Sequence, residues 1–372
     1  MINSRRTLII DVSNILFRVS AMQKAGPYGK EASVEDLVGM SFHVSLQSIF
    51  KYYNKYNPDF LVFAFDGDRN WRKDYTAKMK SRLPYKGNRV RDPEMEHYYR
   101  LLKEFRTTIS LYTSICCISV DTLEADDVIA GFCQLFASPQ HEVVIVSGDK
   151  DFTQLLKIPG VTLINPDDGK PRNQPTSKEY EPDIDYWIFK KCIRGDGGDN
   201  VPSAWPRVRE TKIKKAYMSD YDRANFMNER WSQPQFEVHP QTGLPTPVME
   251  ADESGNLVQK VNVYRVGDLF EENVVLMDLS KQPPEQRSLI EESVKEQVEK
   301  TSTYSHFQFL RFLSNNDLRR VQEDAMKFID MFTNNQRFLK GEKTEEVKKP
   351  VVKKLDVKAQ LAELKKSNLL SF

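Results

Sequence analysis

Cysteine and histidine are scarce in this 372-residue sequence, with four and five copies. Two of the cysteines, Cys116 and Cys117, are adjacent, and no C-x-x-C pair occurs. This pattern excludes a disulfide framework and a zinc module built on paired cysteines. It favours a reducing compartment, and we expect a cytoplasmic location.

Long apolar runs are also absent. No segment approaches the roughly 18 uncharged residues of a membrane span, and the chain reaches Asp11 without the apolar core of a signal peptide. We therefore expect neither secretion nor membrane association.

Several catalytic signatures are missing as well. The sequence has no G-x-x-x-x-G-K-[ST] loop and no G-x-S-x-G elbow, and its G-D-G-G-D-N segment lacks the register of an EF-hand. These absences exclude a P-loop NTPase, a serine hydrolase of the elbow type and an EF-hand protein.

Charge is balanced in total but uneven along the chain. Lys and Arg number 54 against 53 Asp and Glu, a formal net charge of +1. Residues 68–91 nevertheless hold nine Lys and Arg against two Asp, and residues 205–215 hold five against one Glu. Separate basic and acidic surfaces suit a protein that binds phosphates with one and cations with the other.

Short apolar segments alternate with helical patterns over residues 1–195. The segments are rich in β-branched residues, as in parallel strands covered on both faces. Ser33 is a candidate N-cap for a helix that runs to Tyr53, and residues 128–136 show one apolar helical face. The alternation predicts a doubly wound α/β domain. The strand candidates are residues 7–11, 60–66, 116–120, 143–149 and 161–165.

The rest of the chain has a different pattern. Residues 232–260 are rich in Pro, Gln and Gly, which indicates a loop or insertion. Residues 288–300 and 304–338 have helical periodicity. Residues 341–358 hold six Lys and four acids and predict a disordered linker. We therefore divide the chain into a domain at 1–193, a mostly helical domain at 194–340 and a tail at 341–372.

Nine acidic residues lie at the ends of these strands or in short motifs beside them. Carboxylates at the ends of parallel strands meet at one edge of the sheet, where ligands bind in such folds. A single acid can be explained by a cap or a helix dipole, but nine in one crevice would repel each other unless cations neutralise them. The residues are Asp11, Asp66, Glu124, Asp126, Asp127, Asp149, Asp151, Asp196 and Asp199.

Oxygen ligands without His or Cys favour Mg²⁺ or Mn²⁺ over zinc. Two such ions a few ångströms apart are the usual device for phosphodiester hydrolysis, because one activates water and the other stabilises the leaving oxygen.

In their order along the chain, these motifs resemble the structure-specific 5′ nuclease (flap endonuclease) superfamily. N-W-R-K-D-Y-T-A-K-M-K at 70–80, S-G-D-K-D-F-T-Q-L at 147–155 and G-D-G-G-D-N-V at 195–201 are the segments involved. Within the superfamily they are similar to the ribonuclease H group of T-even-type bacteriophages, which are 5′→3′ exonucleases and flap endonucleases. The resemblance implies a PIN-like, mainly parallel sheet with helices on both faces, followed by a mostly helical C-terminal domain.

The resemblance also implies two Mg²⁺ ions, with Mn²⁺ as a substitute. Asp126 would be essential for catalysis as well as for metal binding. Asp127 and Asp196 would act through water or from behind the ligands. The first site would be formed by Asp11, Asp66, Glu124 and Asp126, and the second by Asp149, Asp151 and Asp199.

The basic stretch, at about 68–98, corresponds to a helical arch in the superfamily. Lys86 and Arg72 would draw in the scissile phosphate and stabilise its charge, with Lys80 or Arg82 as alternatives to Lys86. Trp71, Tyr75 and Tyr85 would stack on unpaired bases. A solvated basic helix with anchoring aromatics is the alternative interpretation. The expected DNA contacts are Arg69, Arg72, Lys80, Arg82, Lys86 and Arg89.

Residues 195–216 resemble the superfamily's helix–three-turn–helix, which holds duplex DNA. The sequence departs from the usual Gly-x-Gly hairpin, with Pro206, Val208 and Arg209 instead, so electrostatic contacts would replace close backbone approach. The residues expected to contact the duplex are Arg207, Arg209, Lys212, Lys214 and Lys215.

The tail ends in S-N-L-L-S-F at 367–372, which resembles peptides that bind sliding clamps. Leu369, Leu370 and Phe372 would contact the clamp and tether the nuclease to its substrate. A tail helix that packs on its own domain is the alternative. The resemblance further implies a phage single-stranded DNA-binding protein as a partner, a monomer, and the host cytoplasm as the location.

Together these features predict a divalent-metal-dependent 5′→3′ exonuclease and flap endonuclease that removes RNA primers and adjacent DNA from lagging-strand fragments. Its substrates would be DNA and RNA–DNA hybrids with a free 5′ end or a 5′ flap. Two alternatives stay open. A PIN-type ribonuclease would usually lack the basic arch and the G-D-G-G-D-N hairpin, and a non-catalytic DNA-structure-binding protein would have substitutions among the carboxylates.

Overall fold

The computed structural model of the chain describes residues 5–27, 29, 31–79, 84–89, 93, 95–172, 182–238, 245–300 and 302–339. Lys80 and Arg82 of the basic stretch lie outside this part of the chain. So do Leu369, Leu370 and Phe372 of the tail. Their assignments therefore stay predictions.

A five-stranded parallel sheet forms the centre of the molecule, with the strand order β3–β2–β1–β4–β5. All five predicted strands are confirmed. In the middle strand, Leu8, Ile9 and Ile10 are fully buried. Successive side chains point to opposite faces of the sheet, and both faces are covered by helices. The strands are β1 Arg5–Asp11, β2 Phe60–Ala64, β3 Cys116–Ile118, β4 His141–Val146 and β5 Val161–Ile164.

Helices cover both faces of the sheet. Ser33 caps the second helix as predicted, since its Oγ accepts a hydrogen bond from the backbone N–H of Asp36 at 3.1 Å. A 3₁₀ helix, Asp151–Lys157, follows β4. The helices of this part are α1 Val12–Ala25, α2 Val34–Tyr56, α3 Trp71–Ala77, α4 Met95–Tyr112 and α5 Ala125–Phe136.

Four further helices form a separate apolar cluster beyond the edge of the sheet. Tyr186, Ile193, Ile213, Phe226 and Leu269 are buried together there. The helices are α6 Ile184–Arg194, α7 Glu210–Met218, α8 Asp220–Asn228 and α9 Val266–Met277.

The last helices pack back onto the sheet, and the expected division at residue 193 stays a prediction. Ile290 and Val294 lie in the same core as Ile9 on one face. Phe309 and Phe332 lie in the same core as Leu8 on the other face. The apolar faces of these helices are therefore buried against the first domain. They are α10 Pro284–Glu299, α11 His306–Asn315, α12 Arg319–Glu323, α13 Ile329–Phe332 and α14 Asn334–Leu339, with a 3₁₀ turn at Ala325–Phe328.

The segment at 232–260, predicted as a loop or insertion, forms three short antiparallel ribbons together with the residues that flank it. At their junction, the N–H of Gln235 bonds to the carbonyl of Lys260 and that of Lys260 to the carbonyl of Val248, both at 2.8 Å. The pairs are β6 Arg230–Pro234 with β11 Val261–Arg265, β7 Phe236–Val238 with β8 Pro245–Pro247, and β9 Met249–Ala251 with β10 Leu257–Gln259.

Within the described part of the chain, no helix combines the length and the hydrophobicity that crossing a membrane requires.

Candidate active site

The carboxyl ends of β1, β2 and β4 bring acidic side chains to one edge of the sheet. Asp11 ends β1, and its carboxylate accepts hydrogen bonds from the N–H of Asn14 at 3.1 Å and from Ser147 Oγ, just after β4, at 2.9 Å. Asp66 follows β2 and accepts a 2.9 Å bond from the N–H of Ala125. The predicted convergence of strand-end carboxylates is thus present in the fold.

Helix α5 begins in this crevice. Glu124 is its N-cap and forms a capping box with Asp127. One Glu124 oxygen accepts hydrogen bonds from Arg72 at 3.0 Å and Tyr85 at 3.1 Å, and the other accepts from the ammonium of Lys86. Asp126, in the first turn, is partly buried. Three donors from the basic stretch therefore converge on one carboxylate.

Arg72 lies in the core, which corrects the expectation that it contacts DNA or the scissile phosphate. It is 1% exposed, and its guanidinium donates to both carboxylate oxygens of Asp127, at 2.7 and 2.9 Å. Its Nε donates to the carbonyl of Leu276 at 2.8 Å. In this conformation Arg72 has no access to a bound phosphate. We assign it a positioning role at the start of α5.

Asp127 is surrounded by protein donors, and its expected role through water or from behind the ligands stays a prediction. It is fully buried. Besides Arg72, it accepts hydrogen bonds from Trp71 Nε1 and from the Glu124 N–H, both at 3.1 Å, and from Gln282 at 3.3 Å. Its oxygens are therefore saturated by protein donors.

The turn at residues 84–89 docks on the G-D-G-G-D-N segment. The N–H of Lys86 donates to the carbonyl of Asp199, and Asn200 donates to the carbonyl of Pro84, both at 2.8 Å. Asn88 donates to the carbonyl of Gly197, also at 2.8 Å. These bonds hold the Lys86 ammonium between Glu124 and Asp199, with its Nζ 3.8 Å from Asp199 Oδ1.

A second acidic group lies at the end of β4 and in the same segment. Asp149 accepts a 2.8 Å bond from the N–H of Asp151. The ammonium of Lys191, on α6, donates to Asp151 and lies 3.2 Å from Asp196 Oδ2. Asp196 also accepts from the N–H groups of Gly198 and Asp199, at 2.8 and 3.3 Å. Lys191 thus joins the 3₁₀ helix to the turn after α6.

Burial and mutual repulsion shift the pKa values of the acids in this crevice. Burial, together with the negative charge of Asp66, raises the pKa of Asp11 to about 7. Burial and the charge of Glu124 raise the pKa of Asp126 well above its usual value. Burial also acts to raise the pKa of Glu124, but the charges of Arg72 and Lys86 outweigh it and lower that pKa.

The chemistry of these donors fits divalent ions, and two lysines form ion pairs with several of the acids. Among the residues that the structure describes, no three Asp, Glu, His or Cys side chains are grouped closely enough to ligate one ion as they stand. Lys86 and Lys191 supply positive charge between the carboxylates instead. The remaining acids are hard oxygen donors, the type of ligand that Mg²⁺ and Mn²⁺ prefer.

Two of the three aromatic residues expected to stack on bases are buried. Trp71 is 5% and Tyr85 3% exposed. The hydroxyl of Tyr85 donates to Asp199 at 2.8 Å as well as to Glu124. Tyr75 is half-buried against Trp71. These rings anchor the basic stretch, because the helix α3 is short and packs directly on the acidic crevice.

The basic residues differ in how far their charges are already paired. In the first stretch, Arg69 pairs with Asp121 at 2.5 Å and Arg89 with Asp199 at 2.7 Å. In the second stretch, Lys212 pairs with Glu229 at 3.1 Å and Lys215 with Asp222 at 3.0 Å. In the second stretch, the exposed residues with no acidic partner in the described part of the chain are Arg207, Arg209 and Lys214.

Three polar residues of the crevice were not identified from the sequence. Lys191 bridges two acids, Asn14 accepts a 2.9 Å bond from the N–H of Gly148, and Ser147 orients Asp11. Lys191 lies five residues before Asp196 at the end of a helical pattern, and this spacing was the available signal. Asn14 and Ser147 have no comparable signature.

A family model matches the part of the chain that forms the central sheet. A profile of the family described as "5′-3′ exonuclease, N-terminal resolvase-like domain" matches residues 6–183. The match covers a little under half of the chain, and we call residues 6–183 the exonuclease domain after it. The exonuclease domain therefore contains β1 to β5, the basic stretch and the acids of the crevice up to Asp151.

Curated relatives agree with this assignment. Ribonuclease H of Enterobacteria phage T4 is 31% identical over 150 residues, 38% of this chain and 46% of that protein. Flap endonuclease Xni of Shewanella loihica is 28% identical over 200 residues, 53% of this chain and 70% of that protein. DNA polymerase I of Streptococcus pneumoniae is 23% identical over 224 residues, 57% of this chain and 24% of that protein. The chain thus spans less than half of two of these relatives.

Solved structures share the fold. The T5 D15 protein co-crystallised with metal ions has a TM-score of 0.52 at 16% identity, over 79% of this chain and all of that one. The T5 5′-exonuclease with bound zinc ions has a TM-score of 0.52 at 18% identity over the same share of this chain. This likeness confirms the predicted α/β fold around the exonuclease domain.

Proposed function

We propose that this protein is a divalent-metal-dependent 5′→3′ exonuclease and flap endonuclease that removes RNA primers and adjacent DNA from lagging-strand fragments. The proposal rests mainly on one observation. The turn that bears Lys86 docks on the G-D-G-G-D-N segment, and it places the Lys86 ammonium and the adjoining part of the basic stretch in the acidic crevice. An acidic crevice with fixed cations beside it is suited to a phosphodiester.

Seven carboxylates of the crevice would hold the ions. When bound, Mg²⁺, or Mn²⁺ in its place, would activate water and stabilise the leaving oxygen. Asp127 and Asp196 would act through water or from behind the ligands, and the ligands Glu124, Asp151 and Asp199 would release their lysine or arginine partners when an ion binds. The set is Asp11, Asp66, Glu124 and Asp126 for one ion, and Asp149, Asp151 and Asp199 for the other.

The side chains around the acids would orient them and bind phosphate. Ser147 and Asn14 fix the rotamer of Asp11, and Arg72 with Tyr85 fixes Glu124. Lys86 is 19% exposed at its side chain, so its ammonium can turn from Glu124 to a phosphate oxygen. The buried cations and hydroxyls therefore preorganise the crevice, which keeps reorganisation during the reaction small.

Duplex binding would use the second basic stretch. Arg207, Arg209 and Lys214 are exposed and have no acidic partner among the described residues, so they can contact backbone phosphates at little cost in broken ion pairs. Lys212 and Lys215 would contribute after releasing Glu229 and Asp222. A single-stranded DNA-binding protein, a sliding clamp at the tail and a monomeric state are part of the proposal.

A cleavage assay tests the proposal directly. The substrates are a 5′-labelled flap duplex and an RNA–DNA hybrid with a free 5′ end, each with Mg²⁺ or EDTA. We expect short 5′ products from both in Mg²⁺ only. Asp126→Asn should retain binding to the flap duplex and lose cleavage, because it removes a negative charge from the crevice without changing its shape.

The same assay separates the alternatives. A PIN-type ribonuclease would cleave single-stranded RNA without need of a 5′ end. A DNA-structure-binding protein would bind the flap duplex and cleave neither substrate in Mg²⁺ or Mn²⁺. Normal cleavage by Asp126→Asn would show that the ligand assignment is wrong.

A further inference from the structure

A polar groove lies between α4 and α11, away from the acidic crevice. Its volume is about 540 Å³. Arg100 and Lys103 line it from α4, and Arg311, Gln308 and Asn315 line it from α11. We call this site the lateral groove. Neither of the two basic stretches contributes to it.

The charge of the lateral groove is positive and largely available. Its one acid, Glu104, accepts a 2.8 Å hydrogen bond from Asn316. Arg100 and Arg311 are exposed, and neither has an acidic partner in the described part of the chain. Lys103 pairs with Asp68 at 2.9 Å but is 63% exposed. Unpaired guanidinium groups beside amides and hydroxyls are suited to phosphate oxygens.

An exposed aromatic ring lies on α11, the helix that bears Arg311. Phe307 is 71% exposed and precedes Arg311 by four residues, so the two side chains share one face of α11. An exposed ring next to phosphate-binding cations is the combination that proteins use to bind single-stranded nucleic acid without reading its sequence.

The lateral groove is connected to the crevice through α4. A second cleft, of about 420 Å³, shares Thr107 with the lateral groove and is lined by Asp68 and Arg106. Arg106 donates to the carbonyl of Asp66 at 3.1 Å and to Asp68 at 3.2 Å. A polar surface therefore runs from the acid that follows β2 to Arg311.

We propose that the lateral groove binds the single-stranded 5′ arm of the substrate, with Arg100, Lys103 and Arg311 on its phosphates and Phe307 stacked on a base. The proposal rests on the nuclease function proposed above and adds a second nucleic-acid site to it. A single strand is favoured over duplex DNA because the exposed ring of Phe307, one turn before Arg311 on α11, can stack on unpaired bases, which a duplex does not offer.

The test compares long and short flaps. Binding of the full-length chain is measured by fluorescence anisotropy on two nicked duplexes, one with a 5′ flap of about 15 nucleotides and one with a single-nucleotide flap. The double variant Arg100→Glu/Arg311→Glu should bind the long flap at least about tenfold more weakly and the short flap as wild type does. Its salt dependence on the long flap should be shallower by about 1.4 in log–log slope, for two lost phosphate contacts.

Two further variants make the result specific. Phe307→Ala should weaken binding of the long flap by about tenfold with no change in salt dependence, because it removes stacking but no charge. Arg287→Glu, which changes an exposed arginine on α10 outside the groove, should bind both substrates as wild type does. If the charge reversal impairs folding, Arg100→Gln/Arg311→Gln makes the same comparison.

The outcomes are distinct. Equal losses on both flaps, or no loss on either, would overturn the groove proposal. A polyglutamate peptide gives a further outcome. If it binds wild type but not the double variant, and both bind the long flap equally well, the groove proposal is also overturned. The groove would then bind an acidic protein segment. Mg²⁺-dependent cleavage of the single-nucleotide flap by wild type tests the nuclease function separately, so either proposal can fail alone.

Discussion

Arg69 and Arg72 lie three residues apart in the same basic stretch and have opposite environments. The side chain of Arg69 is 68% exposed and pairs with Asp121 at the surface. Arg72 is 1% exposed, and its guanidinium fills the space between Asp127, Glu124 and the Trp71 ring. Sequence position alone could not separate them, since the difference depends on which side of a short helix meets the start of α5.

The two arginines make a matched test at the residue scale. Arg72→Met should lower the free energy of unfolding by about 3–5 kcal/mol, because Asp127 would remain buried without its cation. Arg69→Met should leave the urea denaturation curve unchanged, because its ion pair is at the surface. Equal midpoints for the two variants would contradict the buried ion pair.

Lys86 is the residue whose effect on rate should exceed its effect on binding. Lys86→Ala should lower the cleavage rate at saturating flap substrate by about 10²–10³-fold, because a cation positioned for the transition state is lost. Binding, measured by anisotropy in EDTA, should change far less.

Lys73→Ala provides the comparison, since Lys73 lies on the exposed side of α3. It should cleave at nearly the wild-type rate. A Lys86→Ala variant with a normal rate and weak binding would instead place Lys86 among the general DNA contacts.

At the scale of elements, buried strands and capped helices were predictable and the insertion was not. Apolar, β-branched runs specify strands that are covered on both faces, and Ser33 specifies a helix start through one hydrogen bond. The ribbons at 230–265 have burial patterns that are mostly exposed, so no alternation of apolar and polar residues marks them. The docking of residues 84–89 on the G-D-G-G-D-N segment depends on backbone hydrogen bonds, which leave no pattern in the side chains.

The contact between α5 and α10 can be tested with two helical glycines. A Cβ on Gly131, in α5, would overlap the Cγ2 of Ile290 on α10. Gly131→Ala should therefore destabilise the protein by about 1–3 kcal/mol through overpacking. Gly39→Ala, in α2, should stabilise it by up to about 1 kcal/mol, because the nearest atom is 3.9 Å away and alanine favours the helix. Chemical denaturation of both variants gives the signs, and a stabilising Gly131→Ala would contradict the packing of α10 on α5.

At the scale of the whole molecule, the two ends of the described chain form one structure. The backbone N–H of Leu61, in β2, donates to Asn335 Oδ1 at 2.8 Å, and Asn335 Nδ2 donates to the carbonyl of Leu61 at 2.9 Å. Strand β3 pairs with residues 62–64 of β2. The side chain of Asn335 therefore binds the backbone of β2 at the residue just before that pairing begins. Periodicity predicts the last helices but not this contact, because it joins residues 274 positions apart.

This contact predicts that the end of the chain stabilises the central sheet. Asn335→Ala should lower the free energy of unfolding by about 2–4 kcal/mol, because two buried backbone groups of Leu61 lose the hydrogen bonds of the Asn335 side chain. Asn315→Ala, an exposed asparagine at the end of α11, should have little effect. Hydrogen exchange gives a local readout, since the amide of Leu61 should lose protection in Asn335→Ala and keep it in Asn315→Ala. Unchanged protection of Leu61 would mean that α14 does not pack on β2 in solution, and that the sheet is completed without the last helices.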